Sequence, residues 1–67
     1  MPEALEALLK AALDEKWLVR ASAISAIAQR EDASLLPSVI LKLDDEEDSV
    51  RFNAAAAILR LSGRQPK

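Results

Sequence analysis

The residues best suited to chemistry form two acid–base sets, Asp14 with Arg20 and Asp45 with Arg51, in which the arginine follows the aspartate by six residues. A guanidinium presents a planar fork of donors that suits a carboxylate or a phosphate. Such arginines either bind an anion or brace the fold, and the planar bidentate match favours bracing. The acidic run Asp44-Asp45-Glu46-Glu47-Asp48 invites a calcium reading. An EF-hand loop, however, needs a glycine at its sixth position and a bidentate glutamate at its twelfth. Counted from Asp44, those places hold Ser49 and Ala55. The acids therefore read as solvated groups that complement the dipole of a helix N-terminus.

Nucleophiles fare no better. Ser22, Ser25, Ser38, Ser49 and Ser62 have no histidine to activate them, since the chain contains none, and it has no cysteine either. The commonest transition-metal ligands are thereby missing. No nucleophile–base arrangement accompanies the clustered carboxylates. The sequence reads as non-enzymatic, with no cofactor and no metal site.

The elements that must position these residues are helical. A chain of 67 residues has room for one small domain with little core to spare. Its hydrophobic fraction of 51% comes mainly from Ala, Leu, Ile and Val, and Trp17 and Phe52 are its two aromatics. Gly63 is the one glycine, and no Asn-Gly or Asp-Gly hairpin signal occurs. A net charge of −2 with thinly spread basic residues argues against a nucleic-acid duplex as partner. No apolar run approaches the roughly 18 residues of a membrane span, and no basic stretch with an apolar run behind it suggests a leader. A soluble, cytoplasmic helical domain is the expectation.

Internal repetition organises the chain. Val19-Arg20 recurs as Val50-Arg51, 31 residues later. At the same offset Leu5 pairs with Leu36, Asp14 with Asp45, Glu15 with Glu46, Ala23 with Ala54, and Ala26-Ile27 with Ala57-Ile58. One offset maintained from Leu5 to Ile58 means two copies of one unit, near residues 2–32 and 33–63, with a polar tail at 64–67. Each unit reads as two helices. Leu5, Leu8, Leu9 and Ala12, then Val19, Ala23, Ala26 and Ile27, recur at the three-and-four spacing of an apolar stripe. The second unit repeats this with Leu36, Val39, Ile40 and Leu43, then Val50, Ala54, Ala57, Ile58 and Leu61. The spacing predicts helices near 2–13, 16–29, 34–43 and 48–61. Pro37 belongs in a first helical turn, which favours Ser34 over Asp32 as N-cap. Gly63 suits the position just past a helix end.

The series Asp14, Val19-Arg20, Ala23, Ala26-Ile27, Asp32, Pro37, repeated as Asp45, Val50-Arg51, Ala54, Ala57-Ile58, resembles the short HEAT-like repeats of the phycobilisome-lyase type. The resemblance covers essentially the whole chain, with Pro2 at the family's repeat-starting proline. It departs at Arg30, where the family has a core aliphatic residue, and at Glu31, where it has a helix-ending glycine. The resemblance implies an all-α, α-solenoid fragment: two helical hairpins, four antiparallel helices, stacked in a right-handed superhelix. It also implies that Asp14, Arg20, Asp45 and Arg51 form a ladder across neighbouring repeats, with Arg20 approaching Asp45.

Stacked helix pairs curve, and their second helices line the concave side. The outward residues there are expected to be Ala21, Ser22, Ser25 and Gln29 in one unit, and Phe52, Asn53, Ala56 and Arg60 in the other. Phe52 and Arg60 suit anchors for a protein or peptide partner, aromatic and arginine side chains being frequent hot spots; Trp17 is either a lid on the acidic turn or a further contact. Ile24, Ala28, Ala55 and Leu59 are apolar and off the stripes, which suggests either ends that self-associate or a fragment of a longer array. A scaffold or protein-interaction module is thus the leading expectation. The alternatives are a nucleic-acid-binding array and a non-catalytic piece of a larger lyase-type protein.

Overall fold

The computed structural model of the chain describes residues 2–63; the tail at 64–67 lies outside the described residues. Four helices follow one another: α1 (Pro2–Ala11), α2 (Trp17–Gln29), α3 (Leu36–Ile40) and α4 (Asp48–Leu61). The described residues contain no strand. α1 stops earlier than the stripe suggests. Its last turn tightens, with Leu13 and Asp14 donating backbone N–H groups to the carbonyls of Lys10 and Ala11 at 2.9 and 3.1 Å. Lys16 is extended and serves as the N-cap residue of α2.

The third helix departs furthest from the sequence expectation. Instead of one α-helix over 34–43, α3 is five residues flanked by 3₁₀ turns at Ala33–Leu35 and Leu41–Asp44. The cap is Asp32, not Ser34: its carboxylate accepts from the Ser34 N–H at 3.0 Å and the Ser34 hydroxyl at 2.7 Å. The 3₁₀ turn closes with the Leu35 N–H on the Asp32 carbonyl at 2.9 Å. Pro37 still falls in the first turn of α3, where its missing N–H costs nothing.

Two helix ends pass through the left-handed region. Gly63 has φ +74° beyond α4, as its place suggests. Glu31 has φ +54° beyond α2, a conformation that a residue with a Cβ adopts at a cost.

α1 packs on α2 and α3 on α4, and the two hairpins join chiefly along α2 and α4, while α1 and α3 barely meet. Ile24, Ile27, Val39 and Val50 are fully buried, and Ala23, Ala28, Ala54 and Ala57 fill the space around them. Small side chains permit close helix approach. The α2–α4 layer is therefore tight and the α1–α3 layer splayed. A crevice of about 220 Å³ opens on the splayed side between Leu9, Ala12 and Leu13 of the first hairpin and Val39, Leu41 and Lys42 of the second.

Burial corrects several expectations. Ile24 and Ala28, read as end residues, lie buried between the repeats. Ala21, read as outward, is buried too. Val19, Ile40 and Leu43, read as core, are exposed. A stripe identifies the face a helix turns to its hairpin partner, whereas stacking buries a second face of α2 that the stripe does not mark.

Candidate functional site

The acidic turns are built alike in both repeats. The Asp14 carboxylate accepts from the Lys16 N–H at 2.8 Å, and that of Asp45 accepts from the Glu47 N–H at 3.0 Å. Each aspartate thereby fastens the start of the following helix. The Arg20 Nη1 donates to the carbonyls of Asp14 and Glu15, both at 2.8 Å. The Arg51 Nη1 likewise donates to the Asp45 carbonyl at 2.7 Å.

At the acidic turns, one contact crosses between the repeats. Arg20 Nε and Nη2 donate to the two oxygens of Asp45 at 2.8 and 2.9 Å, and both side chains are largely buried. Four N–H groups of Arg20 are thus engaged, two on a carboxylate and two on turn carbonyls. No buried side-chain nitrogen or oxygen among the described residues lacks a partner. The Arg20 guanidinium holds the Asp45 carboxyl below the usual carboxylate range, with help from the Glu47 N–H, while Asp45 raises the arginine in turn. These residues make a brace. In the open positions of the same pattern, Arg51 turns to Asp48 on its own helix, and Asp14 is exposed.

The other sequence candidates fall along the furrow between α2 and α4. Ser25, Gln29, Asn53, Ala56 and Arg60 line a groove of about 420 Å³ with Ala28, Ala57 and Leu59. A second groove of about 360 Å³ runs from Trp17 past Ser22 to Ser25 and Asn53. Because the two share Ser25 and Asn53, they form one furrow. It follows α2 for most of its 13 residues, roughly 20 Å at the rise of an α-helix. Trp17 stands at one end and Arg60 at the other.

Phe52 lines neither groove and is 76% exposed. The sequence reading did not include Ala28, Ala57 and Leu59 in the furrow, nor the pair between Arg60 and Glu31 at 2.9 Å. That pair ties α4 to the turn after α2. Its partners occupy non-equivalent places in the two repeats, so the offset of 31 carries no trace of it. Asn53 is oriented by donating to the Ser49 carbonyl at 2.8 Å. Among the described residues no group of acids is arranged to hold a metal, and no helix is long and apolar enough to cross a membrane.

The HEAT-repeat family profile matches residues 1–66, and the chain belongs to that family. No curated protein matches the chain, and no solved structure does. HEAT repeats commonly mediate protein–protein interaction and generally serve as non-catalytic scaffolds.

Proposed function

We propose that the chain is a non-enzymatic interaction module that holds an extended protein segment in the furrow between α2 and α4. The observation that carries this reading is the lining itself: small side chains along the floor, with polar groups at intervals. Ala28, Ala56 and Ala57 let a backbone approach closely. Ser25, Gln29 and Asn53 offer donors and acceptors to its peptide groups. The tight α2–α4 layer and the splayed α1–α3 layer support reading this furrow as the concave side of the stack.

A furrow of about 20 Å accommodates roughly six residues of extended chain. Arg60 shares its charge with Glu31 in an exposed pair, and a partner carboxylate can replace Glu31 as acceptor. Trp17, at the other end, suits an apolar side chain. The fitting ligand is therefore a short segment with an acid at one end and an apolar residue at the other. A site of this size is smaller than the ~800 Å² per partner of a standard interface, so affinity for a single segment is modest.

The test is selection of peptides from a random display library against the wild-type chain. The selected peptides are then measured against Ala56→Trp, which fills the furrow, and Phe52→Ala, which lies outside it. Binding lost in the first variant and kept in the second supports the furrow. Binding kept in Ala56→Trp places the site elsewhere.

A further inference from the structure

We propose that copies of this chain stack head to tail, the end face of the second repeat seating on the start face of the first repeat of another copy. The boundary inside the chain supplies the template, and the offset of 31 shows what the two ends leave uncovered. Ile24 is 0% exposed against the second repeat, and its equivalent Ala55 is exposed. Ala28 is buried, and its equivalent Leu59 is 53% exposed. Ala21 is buried, and its equivalent is the exposed Phe52. At the opposite end Val50 is 0% exposed, while its equivalent Val19 is 37% exposed. Among the described residues, the equivalents of those that one repeat turns toward its neighbour are thus exposed on the two outer faces.

The charges match in the same order. Arg20 takes the Asp45 carboxylate inside the chain; in the stack Arg51 takes the second copy's Asp14, which no described cation engages. Both turns are already built for it. Arg51 holds the Asp45 carbonyl as Arg20 holds that of Asp14, and Asp14 is fastened by the Lys16 N–H as Asp45 is by that of Glu47. Lys16 replaces Glu47 at the new boundary, so the acid side there carries one charge pair less favourable than the internal one.

Apolar surface matches as well. Ala21 and Ser49 face the same groove inside the chain. Their equivalents are Phe52 and Leu18, both exposed, which form an apolar pair where the internal boundary has a small one. A contact between two different faces does not close on itself, so association grows stepwise with concentration instead of stopping at a dimer.

The test is sedimentation equilibrium on wild type, Asp14→Arg, Arg51→Asp and an equimolar mixture of the two variants, with circular dichroism to show that each is folded. Wild type is expected to form a concentration-dependent series of oligomers. Each variant alone sets like charges against each other and is expected to associate about tenfold or more weakly. The mixture should regain association, since the intact Arg51 of one variant meets the intact Asp14 of the other. Ala55→Glu, an exposed helical position, provides a second break that leaves both turns intact, and it should also abolish the series. A wild type that stays monomeric at millimolar concentration overturns the proposal. So does association that the charge reversals and Ala55→Glu leave unchanged.

Discussion

Arg20 and Asp45 lie 25 residues apart in sequence and meet through two parallel hydrogen bonds of 2.8 and 2.9 Å, with the arginine's remaining arm on the carbonyls of Asp14 and Glu15. One side chain thereby holds the turn of its own repeat and the turn of the next. Removing it leaves a carboxylate and two carbonyls without their donor in a partly buried place. Arg20→Ala is expected to lower Tm on the order of 10 °C. The exposed Arg30→Ala should change it little. In a double-mutant cycle with Asp45→Asn, the two losses should fall well short of adding, because they remove one shared contact. Additive losses would show that the two residues act independently.

Acid sensitivity follows from the same pair. Hydrogen bonding by Arg20 holds the Asp45 carboxyl low in the fold, and the Ser34 hydroxyl and N–H hold Asp32 low. A depressed folded value means that the stabilisation is complete above the unfolded carboxylate value of about 3.9 and is lost as pH falls through it toward the folded value. Urea midpoints should therefore be flat from about pH 7 to 5 and fall below about pH 4. Asp45→Asn should lower stability at neutral pH and flatten the acid limb. An unchanged acid limb in that variant would assign the sensitivity to other carboxylates.

Glu31 offers a test of local backbone cost. Its φ of +54° is costly with a Cβ, and its side chain pairs with Arg60 in an exposed contact. Glu31→Ala removes the pair and keeps the strain, whereas Glu31→Gly removes both. The glycine variant is expected to be more stable than the alanine variant by about 1 kcal/mol. Equal stability would mean that the residue is not held left-handed in solution.

The buried internal boundary and the exposed outer face can be separated by truncation. Ile24→Ala empties a fully buried site between the repeats and should cost about 2–5 kcal/mol. Leu59→Ala, at the equivalent of Ala28 on the open end, should cost less than about 1 kcal/mol in dilute monomer. Comparable losses would contradict the stacking register.

How much of this was legible in the sequence depended on what the offset could carry. Four helices and two stacked units followed from one offset shared by the stripes and by Val-Arg. The nearness of Arg20 to Asp45 could be argued from stacking of like turns. The arginine's grip on the turn carbonyls could not, because backbone acceptors leave no mark in residue types. The division of the third helix was hidden as well, since Asp32 and Ser34 are both good caps and Pro37 fits the first turn of either start. Hardest to read was α2, which buries Ala21, Ile24 and Ala28 in addition to Ala23 and Ile27 of its stripe. A helix covered on several sides has no single apolar face, and its periodicity therefore understates what it touches. Phe52 was hard to place for the same reason: its equivalent, Ala21, is buried at the internal boundary, whereas Phe52 is exposed and lines neither groove.

The furrow reading is tested most directly by nuclear magnetic resonance mapping of the ¹⁵N-labelled chain titrated with a peptide selected against it, at protein concentrations dilute enough to keep the chain monomeric. The largest shifts are expected at the backbone amides of Ser25, Gln29, Asn53 and Ala56, with the Arg60 side chain also perturbed. Arg60→Ala should weaken a peptide that carries a carboxylate by about tenfold. Shifts confined to Asp14, Val19, Ala55 and Phe52, with the furrow amides unmoved and Arg60→Ala without effect, would contradict it.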